Sequence, residues 1–165
     1  PVVAAGGIGD GRGMAAALAL GASGVWIGTR FLAAAEIGIH PEYQRRILAG
    51  SEADTVYCED LFDVGWPNAP HRVLRNSTFD NWQRAGRPPS GKRPNEGEII
   101  ARSASRGDIV RYSSTTPGSD AEGNIEGLSL WAGQTAAVVR KVQPAAEIVN
   151  EIYRDAQDVL QRLAR

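Results

Sequence analysis

The chain has 165 residues, which is the length of about one ordinary domain. Its 42% hydrophobic and 22% charged residues are typical of a globular protein, and a formal net charge of −1 gives no field that would draw it to nucleic acid or an anionic membrane. The single cysteine, Cys58, excludes an internal disulfide and a thiolate metal cluster and fits a reducing compartment, so we expect a cytoplasmic protein.

The chain opens with a short apolar strand that runs into a glycine turn and a helix. Val2–Ala5 is followed directly by Gly6-Gly7, and an apolar run of this kind is typical of a strand buried on both faces. Asp10 can cap a helix over about residues 11–20. Gly21 is placed to end that helix.

The same pattern then occurs a second time. A strand over Val25–Ile27 precedes Gly28-Thr29, and a second helix is expected through Phe31–Glu36. Strands and helices joined by such short connections predict parallel strands with crossover helices, which is an α/β fold.

The rest of the chain is less regular until its end. A helix is expected over residues 40–50, with Pro41 at its first position. The stretch 55–127 holds most of the prolines and reads as an irregular insertion with one short helix over 76–84. Helices are predicted for 128–142 and, after Pro144, to the chain end. The sequence therefore divides into 1–54, 55–127 and 128–165, with the last part completing the same domain as the first.

The two glycine turns predict a phosphate-binding site. Backbone N–H groups reach a phosphate where side chains are absent, as at Gly6 and Gly7 in the first turn and Gly28 in the second, and Thr29 adds a hydroxyl donor. Two such turns after neighbouring parallel strands match the phosphate site of a TIM (β/α)8 barrel, which is formed by the loops after its last two strands. The predicted fold is the C-terminal portion of such a barrel, with an irregular insertion and C-terminal helices.

Four segments of the sequence resemble the nitronate monooxygenases, also known as 2-nitropropane dioxygenases, a family of FMN-dependent TIM-barrel enzymes. These segments are Ala4–Gly13, Ala19–Leu32, His71–Asn76 and Trp131–Gln134. The glycine motif alone is also similar to that of flavin-dependent enoyl-acyl-carrier-protein reductases and, more distantly, of inosine monophosphate dehydrogenases. The combination of all four segments favours the first family and indicates its C-terminal part.

The resemblance implies that FMN is the cofactor and that its phosphate binds at both turns. The residues implied to bind it are Gly6, Gly7, Trp26, Ile27, Gly28 and Thr29. The family's catalytic histidine belongs to a segment before the seventh barrel strand, upstream of Pro1, so no catalytic residue is assigned in this chain. His71 and Gln134 are the remaining candidates for a role near the flavin, and no metal site is expected.

The implied activity is the FMN-dependent oxidation of an alkyl nitronate or propionate 3-nitronate with oxygen, as part of a longer enzyme. The partners would be these small molecules, without nucleic acid or membrane, and the oligomeric state is left open. One alternative is an NAD(P)H-dependent flavin reductase that acts on enoyl thioesters or quinones, because it would share the phosphate site. The other is an inactive phosphate-binding remnant of a truncated gene.

Overall fold

The computed structural model describes residues 1–165 and shows an α/β fold. The helices are α1 (Gly11–Ala19), α2 (Pro41–Ala49), α3 (Ser77–Arg84) and α4 (Ala145–Leu163). The strands are β1 (Val3–Ala5), β2 (Gly24–Trp26), β3 (Thr55–Cys58), β4 (His71–Leu74), β5 (Ile99–Ser103), β6 (Gly107–Val110) and β7 (Ala121–Gly123). Short 3-10 helices cover Thr29–Ala33, Glu52–Asp54, Ile125–Gly127 and Gln134–Val138.

The chain forms two compact units, and neither is continuous in sequence. The first unit contains residues 1–37, 47–52 and 133–165, and the second contains residues 38–46 and 53–132. The predicted boundaries at 54/55 and 127/128 therefore do not coincide with these units. None of the helices combines the length and the apolar character that a membrane span requires.

The first unit is built on a two-stranded parallel sheet and two helices packed against each other. β1 pairs with β2 in parallel, as predicted. Helices α1 and α4 are in close contact at Gly11. A Cβ added there would stand only 2.5 Å from the backbone nitrogen of Ala156. Ile148, Ile152 and Ala156 form the buried face of α4, with the three- and four-residue spacing that predicted this helix.

The second unit contains two antiparallel sheets with separate hydrophobic clusters. β3 pairs with β4, and β5 lies between β6 and β7. Phe62, Val73, Phe79 and Tyr112 belong to the core beside β3 and β4. A second cluster includes Ile100 and Ala101 of β5 and Ile109 of β6.

Several predicted elements are confirmed together with the local signals that indicated them. The Asp10 carboxylate caps α1 by accepting a hydrogen bond from the Gly13 N–H at 2.8 Å. Gly21 ends that helix with a φ of +97°, a left-handed conformation that favours glycine. Helix α2 begins at Pro41, and α4 begins directly after Pro144.

Two predictions about the first unit are wrong in detail. β1 is not buried on both faces, because Val3 and Ala5 are exposed. Its sheet has only two strands, β1 and β2. The helix expected over residues 31–36 is a 3-10 helix over Thr29–Ala33, which begins earlier and is shorter. An apolar run indicates that a strand can be buried, but burial also requires neighbouring elements that cover the strand.

The stretch 55–127 is more regular than predicted. It contains strands β3 to β7 and helix α3. These strands are only three to five residues long, so each is too short to show a clear alternation of apolar and polar residues. The prolines that indicated loops lie between these elements, whereas Gly107 begins β6 and Gly123 ends β7.

The helix predicted for residues 128–142 is also absent. Residues 128–132 run extended beside β4, where the Leu74 N–H donates to the Leu130 carbonyl at 2.8 Å and Val73 is bridged to Trp131. Only Gln134–Val138 is helical, as a 3-10 turn. Small side chains pack closely in either conformation, so the composition of this stretch did not distinguish a strand-like segment from a helix.

Candidate functional site

The parallel register of β1 and β2 brings two turns to one edge of the sheet. Ala5 is paired with Trp26, so Gly6 leaves one strand where Ile27 leaves the other. Gly6 and Gly7 have φ values of +84° and +71°, which only glycine adopts without strain. A Cβ at Gly6 or Gly7 would meet no atom within 4 Å, so the backbone of this turn faces open space.

The second turn continues from β2 into the 3-10 helix Thr29–Ala33. Trp26 is 74% exposed, Ile27 and Thr29 are half-buried, and Gly28 is exposed. A Cβ at Gly28 would also meet nothing within 4 Å. The structure thus places all the predicted phosphate-binding residues on or beside one open edge, where backbone N–H groups can be reached by an anion.

A surface groove adjoins the first turn. Its lining is formed by Gly7, Gly9, Asp10, Arg12, Gly13, Thr135 and Val138. The Asp10 carboxylate binds the Arg12 guanidinium at 3.0 Å. Partial burial of Asp10 acts to raise its pKa, but the Gly13 N–H and the Arg12 side chain outweigh that effect and hold the pKa below its usual value. The carboxylate is therefore ionised at neutral pH, with its charge balanced by Arg12.

One short segment contacts both turns. A Cβ at Gly9 would lie 2.8 Å from Val138 Cγ2 and 2.9 Å from Thr135 Cβ, so the turn after β1 packs directly on the 3-10 helix Gln134–Val138. At the turn after β2, the Gly133 N–H donates to the Thr29 hydroxyl oxygen at 2.9 Å. The Trp131–Gln134 motif indicated this region, although Gln134 rather than Gly133 was its predicted functional residue.

A buried arginine supports the second turn from inside the first unit. Arg30 follows Thr29, and its guanidinium donates to the Gln143 side-chain oxygen and lies 3.6 Å from Glu151. Its Nη1 atom is buried without a hydrogen-bond partner. A hydrogen bond from Gln143 lowers the pKa of Glu151, which keeps that carboxylate ionised opposite the arginine. This arrangement was not predicted, because Arg30 lies 113 positions from Gln143 and still further from Glu151.

The two candidate catalytic side chains have different environments. His71 is buried in the second unit, its Nδ1 lies 2.7 Å from the carbonyl oxygen of Ala69, and its Nε2 has no partner. The imidazole lies 4.6 Å from the Trp131 ring and 6.1 Å from the Phe62 ring, measured between centroids. Gln134 is exposed at the start of its 3-10 helix. Neither side chain is hydrogen-bonded to an acidic or basic side chain with which it would form a catalytic pair.

The remaining reactive side chains do not form a site of their own. Cys58 is buried, and burial raises the pKa of its thiol to about 12. No cluster of three or more histidine, cysteine, aspartate or glutamate side chains is arranged to hold a metal ion. The open edge beside the two turns combines accessible backbone with an adjoining groove, which are features of an anion-binding site.

Comparison with known proteins supports a common origin for this arrangement. The profile of the family described as nitronate monooxygenase matches residues 1–155. The chain is 36% identical to the nitronate monooxygenase npaC of Metarhizium robertsii, over 97% of this chain and 42% of that protein. The chain spans about 40% of the length of the curated relatives it matches.

Two solved structures show the same fold over nearly the whole chain. FabK from Thermotoga maritima superposes with a TM-score of 0.66 at 32% identity, covering 99% of this chain and 46% of that one. A nitroalkane oxidase from Streptomyces ansochromogenes superposes with a TM-score of 0.66 at 27% identity, covering 98% of this chain and 41% of that one.

Proposed function

Because this chain belongs to the nitronate monooxygenase family, we propose that its two glycine turns bind the phosphate of FMN. The observation that carries the proposal is the pairing of Ala5 with Trp26, which sets Gly6-Gly7 beside Gly28-Thr29 at one sheet edge. In this interpretation residues 1–54 are the last two βα units of a TIM barrel, whose phosphate site is formed by the loops after strands seven and eight.

The residues at this edge fit a phosphate group in shape and in chemistry. The space that a Cβ would fill at Gly6, Gly7 and Gly28 is open, so a phosphate can approach the backbone closely. Thr29 contributes a hydroxyl group, while Trp26 and Ile27 lead the strand into the turn. When bound, the flavin supplies the redox chemistry, and the protein supplies binding and orientation.

The proposed reaction of the complete enzyme is the oxidation of an alkyl nitronate or propionate 3-nitronate with oxygen. We propose that residues outside this chain supply the catalytic base and the contacts to the flavin ring. His71 does not fill that role in our proposal, since its free Nε2 atom is enclosed in the second unit. We therefore expect these 165 residues with added FMN to show no nitronate oxidation, and measurable turnover by this chain alone would contradict that expectation.

Equilibrium titration with FMN tests the binding site. Gly28→Asp places a carboxylate in the open space where the phosphate is proposed to bind, and we expect the Kd for FMN to rise by at least about tenfold from charge repulsion. Gly28→Asn is the matched control, because it has the same size without the charge. If Gly28→Asp and Gly28→Asn bind FMN equally well, the phosphate site is assigned to the wrong place.

Steady-state assays separate the proposed activity from the flavin reductase alternative. They require a longer polypeptide that contains these residues. Oxygen consumption with an alkyl nitronate, in the absence of NADH, is the expected result. Turnover that instead requires NADH and an enoyl thioester or quinone acceptor would favour the reductase, which shares the phosphate site and differs in its hydride donor.

A further inference from the structure

The hydrogen bond between Gly133 and Thr29 constrains the direction of a hydroxyl group at the proposed phosphate site. A threonine hydroxyl has one hydrogen to donate and two lone pairs to accept with. The Gly133 N–H, 2.9 Å from the Thr29 oxygen, occupies one of those lone pairs. The hydroxyl hydrogen must therefore point away from Gly133, which leaves it available to donate to another acceptor.

Glycine at position 133 is explained by space rather than by backbone conformation. Its φ of −81° and ψ of 173° are extended values that any residue adopts. A Cβ there would lie 3.3 Å from the Thr29 hydroxyl oxygen and 3.8 Å from the Thr135 hydroxyl oxygen. The first of these distances is tighter than an ordinary contact, so a side chain would press on the Thr29 hydroxyl.

The same segment also fixes the other turn. Thr135 and Val138 pack against Gly9, where a Cβ would stand less than 3.0 Å from either side chain. Residues 133–138 thus contact the turn after β1 through packing and the turn after β2 through a hydrogen bond. A displacement of this segment would alter both halves of the site together.

We propose that Gly133 is a positioning residue of the phosphate site. Its N–H orients the Thr29 hydroxyl so that the hydrogen is directed to an oxygen of the FMN phosphate, while Thr135 and Val138 hold the turn at Gly9. The proposal rests on the proposed function, since it takes the FMN phosphate as the ligand. A purely structural role of Gly133 would affect the binding of any flavin, whereas this role acts only on flavins that carry a phosphate.

The first test compares FMN with riboflavin, which lacks the phosphate. The readout is the ratio of the two Kd values, measured by flavin fluorescence with the purified protein. Thr29→Val keeps the shape of the side chain and removes the hydroxyl, so we expect FMN binding to weaken by about tenfold or more while riboflavin binding is unchanged. Thr29→Ser retains the hydroxyl and should keep the ratio of the unmodified protein.

The second test removes the donor at Gly133. Gly133→Pro has no N–H, and the φ of −81° lies close to the range of proline. Gly133→Ala is the matched control, since it adds a Cβ and keeps the N–H. Both variants add a Cβ, so their difference measures the N–H: we expect proline to reduce the preference for FMN over riboflavin more than alanine does, and to cause no further reduction in the Thr29→Val background.

A measurement on the unmodified protein keeps the proposal testable if the proline variant does not fold. Because hydrogen bonds in a chain polarise one another, the NMR resonance of the Gly133 amide should shift on addition of FMN and not of riboflavin. If the protein binds FMN no more tightly than riboflavin, the proposed function itself fails. If it prefers FMN, but the Gly133 amide does not respond and Thr29→Val keeps the preference, the phosphate site stands and the role of Gly133 is wrong.

Discussion

Cys58 illustrates how burial decides the chemistry of a single residue. It is 2% exposed in the core beside β3 and β4, and burial raises the pKa of its thiol to about 12. At pH 8 its thiolate fraction is about a thousandfold lower than that of an exposed thiol with a pKa near 9. We therefore expect alkylation by iodoacetamide at pH 8 to be at least about a thousandfold slower in the native protein than in urea.

The pH dependence of stability has a sign that follows from the same pKa. The folded thiol ionises near pH 12 and the unfolded thiol near 9, so its contribution to folding is present below pH 9 and is lost as the pH rises towards 12.

Cys58→Ala is the control for the alkylation experiment and should bind FMN as the unmodified protein does. Rapid alkylation of the native protein would show that the thiol is accessible.

At the same scale, glycines are easier to select from the sequence than buried charged residues. Gly6 and Gly7 are proposed as phosphate-binding residues because their lack of a side chain is itself the signal for a phosphate turn. Arg30 and Gln143 were not identified, because charged and polar residues usually lie on the surface and the contact between these two spans 113 positions of the chain. Gly133 was not selected for a third reason, since the role proposed for it depends on a backbone N–H that every residue but proline carries.

Among the elements, α3 depends on one buried asparagine. Asn76 accepts a hydrogen bond from the Phe79 N–H at 3.0 Å through its side-chain oxygen, and it donates to the Leu128 carbonyl at 2.8 Å through its nitrogen. Asn76→Ala removes the helix cap and leaves a buried carbonyl unpaired. We expect the free energy of unfolding to fall by about 2–4 kcal/mol, measured by urea denaturation.

A serine variant separates the two contributions. Asn76→Ser keeps an oxygen that can cap α3 but cannot reach Leu128, so it should lose about half as much stability as Asn76→Ala. Equal losses in the two variants would mean that the cap contributes nothing. The comparison is possible because the capping and the cross-chain hydrogen bond use different atoms of one side chain.

The elements that the sequence predicted correctly are those with signals at both ends or along one face. Helix α1 has Asp10 before it and Gly21 after it, and α4 has a continuous apolar face. The pairing of β3 with β4 depends instead on partners that are at least 13 positions apart, such as Cys58 opposite His71. The segment after Leu128 likewise takes its extended form from pairing with β4. No local sequence pattern indicates this pairing.

At the scale of the whole molecule, the two units differ in how well their strands are covered. In the first unit, Val3 of β1 is 55% exposed and Trp26 of β2 is 74% exposed. In the second unit, Val73 and Leu74 of β4 are almost completely buried. An exposed two-stranded sheet opens more readily than a covered one, because few buried apolar contacts are lost when it opens.

We therefore expect the backbone amides of β3 and β4 to exchange with solvent more slowly than those of β1 and β2, as measured by hydrogen–deuterium exchange with NMR or mass spectrometry. Uniform protection of both pairs would mean that the chain opens as one cooperative unit. If residues 1–54 are the last two βα units of a barrel, the neighbouring strands of that barrel would cover both edges of the sheet. A longer polypeptide containing these residues should then protect β1 and β2 more strongly while leaving β3 and β4 unchanged.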